Sequence, residues 1–141
     1  MSNETDTILL VEDNEDDVFA LKWAMRKAGL SECLQIVTDG QQALDYLSGD
    51  GSFTDRERHP MPTVMFLDLK LPYYGGHEIL AWMQERSELS NIAVIILSGS
   101  DEGRDHERAR ENGARAYLVK PPSPEQIVAV LAQARDLQAS T

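Results

Sequence analysis

The sequence is poor in several things that would have decided its class at once. It has one cysteine, Cys33, so it closes no internal disulfide and offers no paired thiols for a zinc cluster or redox centre. A reducing cytoplasm is the expected setting, with Cys33 a small buried apolar residue. Basic residues are in deficit: 13 Lys and Arg against 24 Asp and Glu leave a net charge of −11. So acidic a chain is a poor match for nucleic acid or an anionic membrane surface, and protein or cation partners are expected instead. No apolar run approaches the ~20 residues of a membrane-spanning helix. Met1 to Thr7 is polar and acidic, without the basic start of an export signal. At 141 residues the chain has room for one ordinary domain.

What is present is a regular alternation. Thr7 to Val11, Cys33 to Val37, Thr63 to Leu67, Ala93 to Leu97 and Ala116 to Val119 are short runs rich in Ile, Leu and Val, the pattern of strands buried on both faces. Amphipathic segments separate them. Val18, Leu21, Met25 and Ala28 fall at helical spacing, with Gly29 as a stop. A second helix is expected over Gln41 to Leu47, a third over His77 to Arg86 and a fourth over Glu102 to Asn112. Ala109 is almost the only apolar residue of the fourth, so that helix should be loosely held, with Arg104, Glu107 and Arg110 pairing along its surface. A fifth opens on a capping box of Ser123, Pro124 and Gln126 and continues through Ile127, Val130, Leu131, Ala134 and Leu137. Five such βα units predict an α/β fold, an open, doubly wound, five-stranded parallel sheet. Residues Gly49 to Pro62 form a long connection, read as a surface loop, with a role in recognition as the alternative.

Polar residues gather where the core does not need them. Glu12 and Asp13 follow the first strand, Asp68 ends the third, Ser98 the fourth and Lys120 the fifth. In open α/β sheets ligands bind beyond the carboxyl ends of the strands, so these residues converge on one crevice. Three carboxylates that close repel one another, and a divalent cation relieves the repulsion. Mg²⁺, with its preference for oxygen ligands and retained waters, suits two direct carboxylates and a third acting through water. With Lys120 as a fixed positive charge and Ser98 as a hydroxyl donor, the set suits a phosphoryl group, and Asp68 is the carboxylate left to act as nucleophile.

The motifs Ile8-Leu9-Leu10-Val11-Glu12-Asp13-Asn14, Phe66-Leu67-Asp68-Leu69-Lys70-Leu71-Pro72 with Gly76 eight after the aspartate, Ile96-Leu97-Ser98-Gly99 and Tyr117-Leu118-Val119-Lys120-Pro121, in this order, closely resemble the receiver domain of bacterial response regulators over residues 6 to 138. The resemblance implies a flavodoxin-like (βα)5 fold with strand order 2-1-3-4-5. It also implies Asp68 as phosphoacceptor from a partner histidine kinase, and Mg²⁺ held directly by Asp13, Asp68 and the Lys70 backbone carbonyl and through water by Glu12. Lys120 and Ser98 would meet phosphoryl oxygens, Tyr117 would be the aromatic switch, and slow self-dephosphorylation would reset the protein, which is a signalling protein and not an enzyme.

Gly99 should leave the site open, while the Lys70 ammonium faces either the phosphoryl group, a partner or solvent. No output domain is expected after the fifth helix, so residues 1–141 read as one stand-alone domain. The loop over 49–62 and the acidic stretch Glu12 to Asp17 resemble the small regulators that accompany phytochrome-type sensor kinases. That narrower resemblance implies a light-sensing partner and a homodimer through the fourth helix, fifth strand and fifth helix, with an unknown downstream protein. Phe19, Trp23 and Trp82 read equally as core or as a docking surface.

Three other classes compete. A Mg²⁺-dependent phosphohydrolase would need a general acid, and His59, His77 and His106 lie away from the strand ends. An FMN-binding flavodoxin is excluded by five carboxylates within Glu12 to Asp17, where a phosphate would have to bind. A phosphorylation-independent binding module is not needed to explain the complete set of site residues.

Overall fold

Strands and helices alternate strictly along the chain in the computed structural model, which describes residues 7–30, 34–71, 74–99 and 103–139, with side chains from 106 to 134 in the last stretch. The elements are β1 (Ile8–Val11), α1 (Glu15–Lys27), β2 (Leu34–Val37), α2 (Gly40–Ser48), β3 (Val64–Asp68), α3 (Gly76–Gln84), β4 (Ala93–Ser98), α4 (Gly103–Glu111), β5 (Ala116–Val119) and α5 (Pro124–Ala139). The strands form one parallel sheet in the order β2-β1-β3-β4-β5, the flavodoxin-like order. The expected elements stand within a few residues of their places. Cys33, Pro72, and the side chains of Arg104 and Leu137 lie outside the described residues.

Period-two alternation divides the core between the two faces of the sheet. Leu9, Val11, Met65, Leu67, Val94 and Ile96 face α2, α3 and α4, meeting Tyr46, Leu47, Ile79, Leu80 and Ala109. Leu10, Phe66, Ala93, Ile95 and Leu97 face α1 and α5, meeting Leu21, Met25, Ile127 and Leu131. Register locks the layers: Leu10 lies opposite Ile36 and Phe66, and Phe66 opposite Ile95. Full burial of such a side chain is worth about 1.5–3 kcal/mol, which is why the three inner strands read as unbroken apolar runs.

Local signals set the helix ends. The Asn14 side chain accepts the Asp17 N–H at 3.0 Å to cap α1, whose first turn carries Glu15, Asp16 and Asp17 and whose last turn carries Arg26 and Lys27, complementing the helix dipole. Gly29, at φ +78°, turns the chain out of α1, and its N–H and that of Leu30 satisfy the carbonyls of Arg26 and Met25. Ser123 Oγ accepts the Gln126 N–H at 3.1 Å while the Ser123 N–H donates to Gln126 Oε1 at 2.9 Å, the expected capping box of α5. Ala109 is buried on α4 as anticipated. Among the described residues no helix is long and apolar enough to cross a membrane.

Two features refine the sequence reading. The stretch over 49–62 lies largely at the surface, and after a 3-10 turn at Gly51–Phe53 it folds back on α2. Tyr46, Phe53 and His59 pack ring on ring with centroids 5.0–5.7 Å apart. The Tyr46 hydroxyl donates to Pro60 O at 2.8 Å, and Arg56 donates to the carbonyls of His59 and Leu47. Burial pushes the Tyr46 hydroxyl pKa up to about 12 despite the Arg56 charge, so it remains a donor. Secondly, Phe19 and Trp23 are not core. They are 68% and 46% exposed, because Leu21, Ala24 and Met25 take the inner face of α1 and leave these aromatics on the outer one. Trp82, by contrast, packs against the core, with the Arg86 guanidinium 4.0 Å from its ring centroid.

The start of α3 lies tight against the end of β3. A Cβ placed on Gly76 would stand 2.7 Å from both the Asp68 carbonyl oxygen and Leu69 Cα, closer than real contacts allow. Gly76→Ala is therefore expected to destabilise the fold by about 1–3 kcal/mol, read as a lower urea midpoint at unchanged m-value. An unchanged midpoint would show that the backbone beside Asp68 yields.

Candidate functional site

The carboxyl ends of β1, β3, β4 and β5 open on one crevice. β1 delivers Glu12, whose N–H still bonds to Val37 O of β2 at 3.1 Å, so its side chain is fixed by the sheet and not by a loop. That side chain is 1% exposed; Oε2 accepts the Asn14 N–H at 3.3 Å and Oε1 meets Lys120 Nζ at 2.7 Å. Asp13 is exposed beside it. Asp68, the last residue of β3, is buried; Oδ1 accepts the Lys70 N–H at 3.1 Å and Oδ2 lies 3.3 Å from Lys120 Nζ. Oxygens of Glu12, Asp13 and Asp68 all fall within 4.8 Å of one another.

From the other side of the sheet, β4 ends on the buried Ser98. Its carbonyl accepts the Lys120 N–H at 2.7 Å, tying the end of β5 to that of β4. The Lys120–Pro121 peptide bond is cis. Among the described residues, a Cβ on Gly99 would meet nothing within 4 Å. The Lys70 side chain is exposed. Tyr117 stands on β5 opposite Ile96, its ring stacked on His106 of α4 with centroids 3.5 Å apart and planes 22° from parallel.

The structure adds one residue to the expected set. Asp17, in the first turn of α1, places Oδ2 2.9 Å from Lys120 Nζ. In sequence it reads as a helix-start carboxylate complementing the dipole, which fully accounts for an acid at that position. The available signal was topological: α1 begins at the mouth of the crevice, so its first turn faces whatever the strand ends gather.

The electrostatics follow from burial. Desolvation pushes the Glu12 pKa up, the Asp68 charge adds to this, and the Lys120 ammonium opposes it without cancelling it. Burial would lower the Lys120 pKa, but bonds to Glu12 and Asp17 and the charge of Asp68 outweigh it, so the ammonium is held above its ordinary value. One ammonium thus faces several carboxylates, and clustered hard oxygen donors with surplus negative charge fit a divalent cation such as Mg²⁺.

The sequence profile of the response regulator receiver domain matches residues 8–132. The chain belongs to that family. Receiver domains of response regulators are signalling proteins. The chain is 40% identical to the solved bacteriophytochrome response regulator RtBRR, at a TM-score of 0.82, over 92% of this chain and 77% of that one. It is 35% identical over 123 residues to the probable methanogenesis regulatory protein FilR2 of Methanothrix harundinacea, covering 85% of this chain and 75% of FilR2. To the response regulator Rcp1 of Synechocystis it is 32% identical, over 84% of this chain and 79% of Rcp1. The Mn²⁺-bound structure of Rcp1 matches with a TM-score of 0.73 at 31% identity, covering 82% of this chain and 81% of that one.

A carboxylate whose folded-state pKa is raised holds its proton longer than in the unfolded chain, so stability falls as pH rises through the window between the two values. For Glu12 that window runs from 4.5 to about 7. In metal-free buffer, the receiver domain is expected to lose stability across this range, and Glu12→Gln to flatten the slope, both read from urea midpoints at successive pH values. A slope unchanged in the variant would move the titration to another group.

Proposed function

We propose that this receiver domain accepts a phosphoryl group on Asp68 from a phosphohistidine of a partner sensor kinase. The observation that carries the reading is the Lys120 ammonium 3.3 Å from the Asp68 carboxylate, beside the Glu12, Asp13 and Asp68 oxygen cluster. An Asp68 carboxylate oxygen forms the new O–P bond, the P–N bond of the phosphohistidine breaks, and its electron pair returns to the imidazole nitrogen. Lys120 supplies positive charge to the phosphoryl oxygens, and the buried site keeps that interaction stronger than it would be in water. Glu12, Asp13 and Asp68, with the Lys70 backbone carbonyl, would hold Mg²⁺, which offsets negative charge on the transferring group. The Mn²⁺-bound form of the similar Rcp1 supports a divalent cation in this family.

In the same reading Ser98 turns its hydroxyl toward the phosphoryl group, and Tyr117 leaves His106 to follow it, which alters the face of α4, β5 and α5. That face would carry homodimerisation or a downstream protein. Hydrolysis of the acyl phosphate resets the switch. The likeness to RtBRR supports a kinase of phytochrome type.

Incubation with Mg²⁺ and acetyl phosphate is expected to add the mass of one phosphoryl group to the wild type, labile to hydroxylamine, and nothing to Asp68→Asn. Absence of the adduct in both proteins, with Mg²⁺ binding shown separately, would favour a phosphorylation-independent binding module. Mg²⁺ alone should raise the melting temperature, because the folded crevice binds it and the unfolded chain does not. At a hundredfold excess over Kd the gain is about 2.7 kcal/mol, and Asp13→Ala should abolish it. A metal-independent melt would remove the cation from the reading.

A further inference from the structure

The Lys120 ammonium has three N–H donors, and three carboxylates surround it: Glu12 at 2.7 Å, Asp17 at 2.9 Å and Asp68 at 3.3 Å. The ammonium therefore sits closer to Glu12 and Asp17 than to the residue read above as the acceptor. A phosphoryl group on Asp68 brings further oxygens that compete for the same donors, and one existing partner has to give way. The three partners are not equivalent. Glu12 is buried at 1% exposure, so breaking its pair would leave its carboxyl with neither the ammonium nor water to replace it. Asp68 carries the phosphoryl group itself. Asp17 is 36% exposed, so water can solvate its carboxylate at once when the ammonium leaves.

We propose that Asp17 is a competing anchor for Lys120, holding one of its donors in the unphosphorylated protein and yielding it to a phosphoryl oxygen when Asp68 is charged. The inference rests on the phosphoacceptor reading and deepens it. Asp17 is a positioning residue, acting through Lys120 without touching the phosphorus. Its pair resists the charged state, and removing it favours both the approach to that state and the state itself. An ion pair this exposed is worth about two- to fivefold in an equilibrium constant. Release also frees a carboxylate in the first turn of α1.

The test compares the wild type with Asp17→Asn and with Asp16→Asn. The last removes the same charge from the same turn at an exposed position. Two readouts are taken at saturating Mg²⁺: the initial rate of phosphorylation by acetyl phosphate, and the affinity for fluoroberyllate, which mimics the acyl phosphate without phosphoryl chemistry. A third, the amine nitrogen resonance of Lys120 in metal-free protein, reports the anchor directly. Asp17→Asn is expected to raise both rate and affinity about two- to fivefold and to shift the Lys120 resonance, whereas Asp16→Asn leaves all three near the wild-type values. Equal gains in both variants would replace the anchor by a general charge effect. An unchanged or lower rate and affinity in Asp17→Asn overturns the inference outright. A wild type that takes neither phosphoryl nor fluoroberyllate overturns the phosphoacceptor reading beneath it, an outcome distinguishable from the others because it involves no variant.

Discussion

The contact on which the rest of the crevice depends is the buried ion pair between Glu12 and Lys120. A carboxylate taken out of water loses several kcal/mol of solvation, and here the attraction of an ammonium 2.7 Å away offsets part of that loss. The pair ties the end of the inner strand β1 to the end of the edge strand β5, which share no backbone hydrogen bonds in the sheet. Lys120 then reaches Asp68 on β3 and Asp17 on α1, while its N–H holds the Ser98 carbonyl on β4. A single side chain and its backbone thus touch four other elements. With Lys120 absent, the buried Glu12 and Asp68 carboxylates lose their counter-charge and the Ser98 carbonyl its donor.

Much of this was legible in the chain because it depends on period and on strand ends. The inner strands are covered on both faces, so they had to be continuous in Ile, Leu and Val, and the polar residue ending each run marked its crevice end. Asn14, Gly29 and Ser123 acted as local punctuation whose partners lie within a few residues. Asp17 escaped notice because a helix-start acid already has a sufficient local cause, while its pairing with Lys120 spans 103 positions along the chain. The fold-back of residues 49–62 was hidden for a similar reason. It rests on Tyr46, Phe53 and His59 meeting across a loop, and such contacts have no period to read. The outward position of Phe19 and Trp23 was in fact accessible, since Leu21, Ala24 and Met25 occupy the inner face of α1 and helical geometry sends the intervening aromatics away from it.

The two layers of helices are held unequally. α1 and α5 bury several apolar residues each against the sheet, whereas among the described residues of α4 the contacts are Ala109 in the core and the ring of His106 against Tyr117. A helix with so thin an apolar attachment shifts at little energetic cost, and it lies beside the strand that carries Lys120. The firmly packed side of the molecule sets the positions of the carboxylates, and the lightly packed side is where a displacement is most easily accommodated.

The spread of the crevice along the chain has a consequence for how the molecule is made. Its parts arrive in the order Glu12, Asp68, Ser98, Lys120, and the ammonium that balances the carboxylates is the last to be synthesised. A growing chain therefore exposes acidic strand ends to one another before their counter-charge has left the ribosome. The carboxylates therefore meet the charge that offsets part of their repulsion only once the segment after the fifth strand has joined the crevice.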